Sequence, residues 1–312
     1  MRFAFTDDQV AFRDAVRDLL VRECPPSVVR DAWTSQHGRT GTVWVRLGEM
    51  GVLGAALELT DVDLVLVLEE CGYFAVPEPV VEHMVVAVPL LPDPSHAAAG
   101  EVTVVSAFEG QGPVVCAGSA DVIVMGSDDG VTLLEDFEVV PTPASVDGSR
   151  RVGAVSGTGV AIGDASAYRR AFDRGALGTA AQLVGLTRRM LDLTVMYVSD
   201  RTQFGVPIGS FQAVKHHLAD ARIALEFARP LVYRAAWSMS HEDPQQSVHV
   251  SMAKAMAGDA ALLAAAKALQ CHGAMGYSYE YDLHLYMKRA WALARAWGDA
   301  SWHRARVGRA IL

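Results

Sequence analysis

The chain has 312 residues, of which 51% are hydrophobic and 20% charged, and its formal net charge is −9. This composition is typical of a globular protein with two or three packed subdomains and is too apolar for a disordered chain. The acidic balance argues against nucleic acid or an anionic membrane as the main partner. No apolar run approaches the roughly 18 residues of a membrane-spanning helix.

The mean hydropathy of +0.20 is high for such a protein. The surplus apolar surface is therefore expected in a core or between subunits. No apolar leader segment is expected, because the first residues, MRFAFTDDQ, turn acidic at once. A reduced cytoplasmic protein with free thiols and no metal site is expected, since its cysteines are far apart and lack metal-ligand spacing. They are Cys24, Cys71, Cys116 and Cys271.

Residues 1–99 predict an N-terminal helical domain. Thr6 stands before two aspartates and is a good N-cap, because acids are favourable at the positive end of a helix dipole. Apolar residues then recur at helical spacing until Pro25-Pro26 ends the helix. Further helices are predicted from Val62 to about Tyr73 and around Val80 to Leu91.

Residues 100–162 predict a small middle β domain. The short runs VTVVSAF, VIVMG, VTLLE and VGAVSG are rich in β-branched residues and are separated by Gly, Asp and Pro. This pattern is typical of strands and turns. The segment is too short for a large sandwich, so a small sheet or barrel is expected.

Residues 163–312 predict a C-terminal helical bundle, which makes the fold class α+β and mostly α. Residues 248–271 are alanine-rich and nearly free of polar groups, and a helix that is apolar on most faces is buried between helices or subunits. The predicted helices are Ala167–Asp200, Phe211–His241, Val248–Cys271 and Tyr281–Trp297.

The segment RTQFG, from Arg201 to Gly205, separates two of these helices, and Phe211 and Gln212 open the second one. Arginine presents a planar fork to phosphate oxygens, and the N-terminus of the next helix adds backbone donors. The segment is therefore a candidate anion site. The alternative is a plain helix hairpin whose loop carries an arginine.

A second segment, QCHGAMGY, runs from Gln270 to Tyr277 after the alanine-rich helix. Its two glycines, three residues apart, allow a close approach of the backbone to another group. It is not a dinucleotide fingerprint, because it follows a helix and not a strand.

Together, RTQFGVPIGSFQ, the following HHLAD and QCHGAMGY resemble the acyl-CoA dehydrogenase family. The N-terminal segments FTDDQVAFRDAVRDLL, WVRLGEMGVLG and LVLEECGYF are similar to that family's opening helical domain. The resemblance covers the whole chain. It implies two helical domains around a small β domain, a tetramer or dimer of dimers, and FAD at a subunit interface. It also implies oxidation of an acyl-CoA thioester to a 2-enoyl-CoA.

The resemblance implies cofactor-binding roles for eight residues. In family members the first motif contacts the pyrophosphate and adenine end of an FAD that lies mainly in the neighbouring subunit, and the second motif lines the same dinucleotide. The residues implied in this chain are Arg201, Gln203, Phe204, Phe211, Gln212, Gln270, His272 and Gly273.

The catalytic position departs from the family. The chemistry uses a carboxylate that removes the α-proton while the β-hydride passes to the flavin. The register of the family's Glu-Gly-Thr segment falls on Trp297, which cannot be a base, with Asp299 two residues further on. The alternative family register falls near Arg174-Gly175, beside Asp173. For each aspartate, a helix cap or a surface carboxylate is the simpler interpretation.

The β segment departs as well. Family members carry a Thr-Glu-Pro…Gly-Ser-Asp stretch and, some thirty residues later, a Trp-Ile-Thr-like strand that packs on the flavin. Here Ser106 is followed within ten residues by Pro113-Val114-Val115, so most of the intervening segment is missing. The resemblance thus implies a chain that keeps the half-site for the adenine end of FAD and lacks the half that cradles the isoalloxazine and acyl chain.

Three hypotheses follow. In the first, the chain is the shorter subunit of an α2β2 acyl-CoA dehydrogenase, as in actinobacterial members that act on steroid side chains and rings. A longer paralogue then carries the catalytic Glu, and no residue of this chain is catalytic. The second is a self-sufficient homo-oligomer that uses Asp299 or Asp173. The third is a non-catalytic binding or scaffold relative. Steroid-derived and ordinary fatty acyl-CoA substrates both stay open.

Overall fold

The computed structural model describes residues 4–110 and 112–312. Helices come first, then a small sheet, then longer helices, which confirms the predicted mostly helical α+β class. Turns of 3-10 helix cover Val52–Leu57 and Val88–Leu90, and a π-helix covers Val81–Ala87. The N-terminal α-helices are α1 (Asp7–Glu23), α2 (Pro26–Thr34), α3 (Thr42–Glu49), α4 (Asp61–Tyr73) and α5 (Ser95–Ala98).

Capping boxes start two of these helices. Thr6 accepts a hydrogen bond from the Gln9 N–H, and the Gln9 side chain accepts one from the Thr6 N–H. Thr60 and Asp63 form the same arrangement before α4. Each box satisfies backbone donors that a helix start leaves free. The predicted N-cap at Thr6 is confirmed.

The helix predicted around Val80 to Leu91 is confirmed, but it is not an α-helix. The chain there is a π-helix followed by a turn of 3-10 helix, and Val81–Val88 is buried throughout. His83 lies within it, fully buried, and its Nδ1 accepts the Val104 N–H at 3.1 Å. Its Nε2 donates to the Ala97 carbonyl at 3.0 Å. Tertiary bonds of this kind fix the local geometry and leave no trace in the hydrophobic pattern.

The sheet has the strand order β1-β3-β4-β5-β2. β1 and β3 are parallel, and the remaining pairs are antiparallel. The four predicted strands are confirmed, and β2 is an addition. The strands are β1 (Val104–Phe108), β2 (Val114–Val115), β3 (Val122–Ser127), β4 (Gly130–Pro141) and β5 (Val152–Gly163).

The C-terminal region follows the predicted helices with one correction. The helix predicted as Tyr281–Trp297 ends at Arg295, and after a short turn a further helix follows that the sequence analysis did not predict. The elements are α6 (Ala165–Asp200), the hairpin strands β6 (Thr202–Gln203) and β7 (Val206–Pro207), α7 (Gln212–Ser240), α8 (Gln246–His272), α9 (Leu283–Arg295) and α10 (Ala300–Ile311).

One hydrophobic core joins both helical regions and the inner face of the sheet. α4 and α6 approach closely, since a Cβ on Gly72 or on Gly185 would overlap the backbone of the other helix. The alanine-rich α8 packs against α6, α7, α9 and α10, so its predicted burial between helices is confirmed. Within residues 4–110 and 112–312, no helix combines the length and apolar character needed to cross a membrane.

Candidate functional site

The RTQFG segment forms a β-hairpin at the end of α6. Its two-residue loop, Phe204-Gly205, has φ angles of 52° and 81°. Positive φ at both positions is the signature of the type I′ turn, which favours Asn-Gly because a bulky residue there is strained by about 1–3 kcal/mol. The Phe204 side chain is nevertheless 92% exposed. A residue that is both strained and uncovered indicates a surface shaped for binding.

Arg201 lies at the base of this hairpin. Its N–H donates to the Tyr197 carbonyl at 2.9 Å, and its carbonyl accepts the Ile208 N–H at 2.8 Å, so the backbone is fixed on both sides. The guanidinium is exposed and forms no ion pair with any residue of the described ranges. Gln203 is exposed beside it. The cation is therefore available to an anionic ligand.

The N-terminus of α7 opens next to the hairpin. Its N-cap is Phe211, whose side chain cannot accept a hydrogen bond, and the first intrahelical bonds to its carbonyl come from Val214 and Lys215. The N–H groups of Gln212 and Ala213 therefore lie at the positive end of the helix dipole without a side-chain cap. The Phe211 ring meets Phe204 edge to face, with 6.3 Å between ring centroids.

The structure brings the second motif to the same place. The Tyr197 ring, one turn before Arg201, stacks on His272 with 4.3 Å between centroids and 23° between planes. Gln270 and Gly273 are exposed at the end of α8, where Gly273 has a φ of 56° and ends the helix. The two motifs that the sequence analysis singled out are therefore neighbours.

His272 differs from the expectation that it lines the cofactor openly, since its side chain is buried, with 3% exposure. Its Nδ1–H donates to the Ala268 carbonyl at 2.8 Å. Nε2 is left as a buried acceptor without a partner among the described residues. Burial lowers the pKa of His272, so the ring is neutral near pH 7. Only this one nitrogen can serve a ligand.

These residues fit one end of a dinucleotide. Arg201 and the free N–H groups of α7 suit a pyrophosphate, because a planar fork and a helix N-terminus both favour phosphate oxygens. The exposed rings of Phe204 and Phe211 suit a flat base. His272 is packed between Tyr197 and Tyr281 and fixes the position of the second motif beside the first.

A second region holds Trp297, in one register at which the family resemblance places a base, and Gly175, in the alternative register near Arg174-Gly175 and Asp173. Trp297 and Gly175 touch, since a Cβ on Gly175 would lie 2.5 Å from the Trp297 ring. Trp297 is 4% exposed and packs edge to face against Phe108 and Phe172. The two registers are alternative sequence positions for the same proton acceptor, so their residues are expected to lie close together, and they do. Both positions lack a carboxylate.

The turn that carries Trp297 is strained and firmly held. Trp297 has a φ of 56°, unfavourable for a bulky residue. His303 Nε2 donates to the Trp297 carbonyl at 2.8 Å. Lys254 Nζ donates to the carbonyls of Gly298 and Ala294 at 2.9 and 3.1 Å. Burial lowers the pKa of Lys254 to about 7. These bonds keep the indole in the core.

The two candidate aspartates are engaged elsewhere. Asp299 is the N-cap of α10 and accepts the Trp302 N–H at 2.8 Å, so its interpretation as a helix cap is confirmed. Asp173 is neither a cap nor a surface carboxylate, because it lies within α6 with 2% exposure. It pairs with Arg306 at 2.5 Å and accepts a hydrogen bond from Ser247.

Comparisons with known proteins agree with this architecture. The family described as "Acyl-CoA dehydrogenase, C-terminal domain" matches residues 165–312. The chain is 30% identical over 307 residues to the acyl-CoA dehydrogenase IpdE2 of Mycolicibacterium smegmatis, covering 94% of this chain and 95% of the relative.

Two solved structures share the fold. One is the ChsE4-ChsE5 complex from Mycobacterium tuberculosis, with a TM-score of 0.88, 23% identity and coverage of 99% of this chain and 98% of that one. The other is a variant of the steroid ACAD Tcur3481-Tcur3483, with a TM-score of 0.87, 21% identity and 98% coverage of each chain.

A mostly helical chain with a small central sheet is the architecture of an acyl-CoA dehydrogenase. With a relative that matches nearly its whole length, this chain belongs to the acyl-CoA dehydrogenase family, whose members are FAD-dependent flavoproteins. The resemblance drawn from RTQFG and QCHGAMGY is confirmed.

Several residues that shape these regions were not predicted from the sequence. Tyr197 joins the two motifs, and Lys254 and His303 hold the turn at Trp297. The one available signal was Lys254, a lysine within the alanine-rich helix α8, because a buried lysine needs oxygen partners. The contact between Gly175 and Trp297 joins residues more than a hundred positions apart and leaves no local pattern.

Proposed function

We propose that this chain is a subunit of a heteromeric acyl-CoA dehydrogenase that supplies the adenine and pyrophosphate half of an FAD site and carries no catalytic base. A longer relative from the same family supplies the base and the flavin cradle, in an α2β2 assembly. When bound, FAD accepts the hydride from the β-carbon of the thioester. The residues of this chain bind and orient its phosphate end, with Arg201 and the α7 N-terminus as ligands.

The observation that carries this proposal is the contact of Trp297 with Gly175. Trp297 occupies one register at which the family resemblance puts a carboxylate, and its indole packs on Gly175, which lies in the alternative register. The Phe204 side chain meanwhile is exposed, and Arg201 forms no ion pair with any residue in the described part of the chain. A chain that has closed one site and exposed the other is suited to completing the site of a partner.

The relatives support a heteromeric assembly. The ChsE4-ChsE5 structure is a complex of two chains, and Tcur3481-Tcur3483 is described as a steroid ACAD. The chain covers 95% of the length of IpdE2, so its short length is shared by that relative. On this basis we propose a steroid-derived acyl-CoA thioester as the substrate class.

The test is co-expression with a longer relative that carries Glu-Gly-Thr and Trp-Ile-Thr segments, followed by flavin analysis of the complex. One FAD per pair of chains is expected, and the chain purified alone should be colourless and inactive. Yellow, active protein from the single chain would contradict the proposal and favour the self-sufficient alternative.

Arg201→Ala in the complex separates a cofactor role from a scaffold role. Loss of a charge-assisted hydrogen bond should raise the Kd for FAD about 10- to 100-fold. Arg201→Lys keeps the charge and loses the planar fork, so an intermediate Kd is expected. Arg46→Ala is the matched control, because Arg46 is an exposed arginine on α3 that pairs only with Glu49. Unchanged FAD content in Arg201→Ala would favour a scaffold protein.

A further inference from the structure

A cleft of about 390 Å³ lies between β1 and the end of α9. This volume is within the range of about 300–1,000 Å³ that small-molecule sites occupy. Its walls are largely aromatic and aliphatic, formed by Phe108, Val114, Trp291 and Trp297. Walls of this kind favour a flat apolar ring system over a chain of waters.

A polar group inside the cleft lacks a partner. Ser106 on β1 is 7% exposed, and its Oγ forms no hydrogen bond with any described residue. β1 is an edge strand that pairs with β3 on one side. A buried hydroxyl without a partner costs about 1–3 kcal/mol, which a ligand oxygen within reach would recover.

The mouth of the cleft carries a positive charge. Arg150 and Glu82 both line the cleft, but they neutralise each other through a hydrogen-bonded ion pair of 3.0 Å. Arg295 at the end of α9 is exposed and forms no ion pair within the part of the chain that the structure describes. The remaining cation favours an anionic group on the ligand.

We propose that this cleft binds a flat, ring-bearing organic carboxylate that carries a hydroxyl or keto oxygen at its other end. The ring lies between the aromatic walls, the carboxylate meets Arg295, and the distal oxygen hydrogen-bonds to Ser106 Oγ. Trp297 forms part of the wall and offers no proton acceptor, so the ligand is bound and not oxidised. This site is separate from the half-site at Arg201.

Calorimetric titration of the full chain, purified without FAD, tests the proposal with three probes. 6-Hydroxy-2-naphthoate carries both polar groups, 2-naphthoate lacks the hydroxyl, and 2-naphthol lacks the carboxylate. We expect saturable binding that is tightest for 6-hydroxy-2-naphthoate. The experiment needs neither flavin nor a partner chain, so its failure is distinguishable from failure of the proposed function.

Two variants locate the contacts. Arg295→Gln should weaken both carboxylates about threefold to tenfold and leave 2-naphthol unchanged. Ser106→Ala should weaken 6-hydroxy-2-naphthoate and 2-naphthol about fivefold and leave 2-naphthoate unchanged. Arg295 is exposed, so Arg295→Gln decides the matter alone if Ser106→Ala does not fold.

Three results of the titrations themselves would overturn the proposal. They are absence of saturable binding, equal affinities for all three probes in the wild-type chain, and equal losses for all probes in either variant. Stoichiometric displacement of 6-hydroxy-2-naphthoate by FAD would also overturn it, since the cleft would then be a flavin site.

Discussion

The hairpin at Phe204 and the turn at Trp297 both hold an aromatic residue in a left-handed backbone conformation, with φ angles of 52° and 56°. Their surroundings are opposite. Phe204 is 92% exposed and Trp297 is 4% exposed. Strained residues persist where the structure around them over-determines them. At Trp297 that support comes from within the chain, through Lys254 and His303. At Phe204 it comes from the hairpin bonds and from the edge-to-face contact with Phe211, and most of the ring stays exposed.

The largest expected effect comes from a substitution near Trp297, in the region that packing within the chain has closed. Asp173, in α6, is the ion-pair partner of Arg306, and Asp173→Asn removes its charge. Loss of one member of a largely buried ion pair should lower the free energy of unfolding by about 2–4 kcal/mol. Urea denaturation measures it. Asp299→Asn is the control, because asparagine caps a helix as well as aspartate does and stability should not change. Loss of activity of the complex in Asp299→Asn, without a change in stability, would contradict the absence of a base in this chain.

Gly175→Ala should have the next largest effect. The new Cβ would lie 2.5 Å from the buried Trp297 ring, and overpacking of this kind lowers the free energy of unfolding by about 1–3 kcal/mol. The double variant Gly175→Ala/Trp297→Leu should recover part of the loss. Gly258→Ala is the matched control, since that buried helical glycine has open space around its Cβ and should gain about 0.4–1 kcal/mol. Additive losses in the double variant would refute the contact.

Lys254, which holds the turn at Trp297, makes the stability of the chain depend on pH. Its pKa is lowered from 10.5 to about 7 by burial, so between these values the unfolded chain binds one more proton than the folded chain. The contribution of Lys254 to stability should therefore rise with pH across this window, by at most about 1.4 kcal/mol per pH unit. Above about pH 8.5 the buried thiols act with the opposite sign, because their pKa values are raised. The test is therefore the difference in free energy of unfolding between the wild-type chain and Lys254→Met, which should change with pH between 7 and 8. Asp299 and His303 also face this lysine, and His303 has its pKa lowered to about 4, outside the window.

The smallest effect is expected at the exposed hairpin around Phe204, where the substitution should raise the free energy of unfolding and not lower it. Phe204→Asn places the residue that a type I′ turn prefers, so the chain alone should gain about 1 kcal/mol of stability. FAD content of the complex should fall at the same time, because the exposed ring is lost. Thermal unfolding of the chain and flavin absorbance of the complex measure the two effects. If the FAD content of the complex rises together with the stability of the chain, instead of falling, Phe204 has no role in binding.

The sequence predicted the parts of this fold that depend on local patterns. The long helices and four strands follow from hydrophobic period, and Thr6 from capping chemistry. α10 was missed although Gly298 and Asp299 gave a turn and a cap signal, because Trp297 was taken as the end of the preceding helix. The π-helix at Val81–Ala87 depends on tertiary bonds of His83, which no periodicity reveals.

The candidate sites were likewise predictable from the sequence only where they depend on local motifs. The cluster around Arg201 was predictable because its residues lie in two short motifs. The burial of His272 and the closure of the base position were not, since both arise where helices distant in the chain pack together.

The cysteines have a practical consequence. All four are buried and free, and burial raises the pKa of every thiol, to about 12 for Cys24 and Cys116. Maleimides and spin labels react with accessible thiolates, so the native chain is nearly inert to them. A cysteine introduced in place of Phe204 would be the single reactive labelling point, and none of the native cysteines would have to be removed. A fluorophore attached there reports on the tip of the hairpin in solution, in real time.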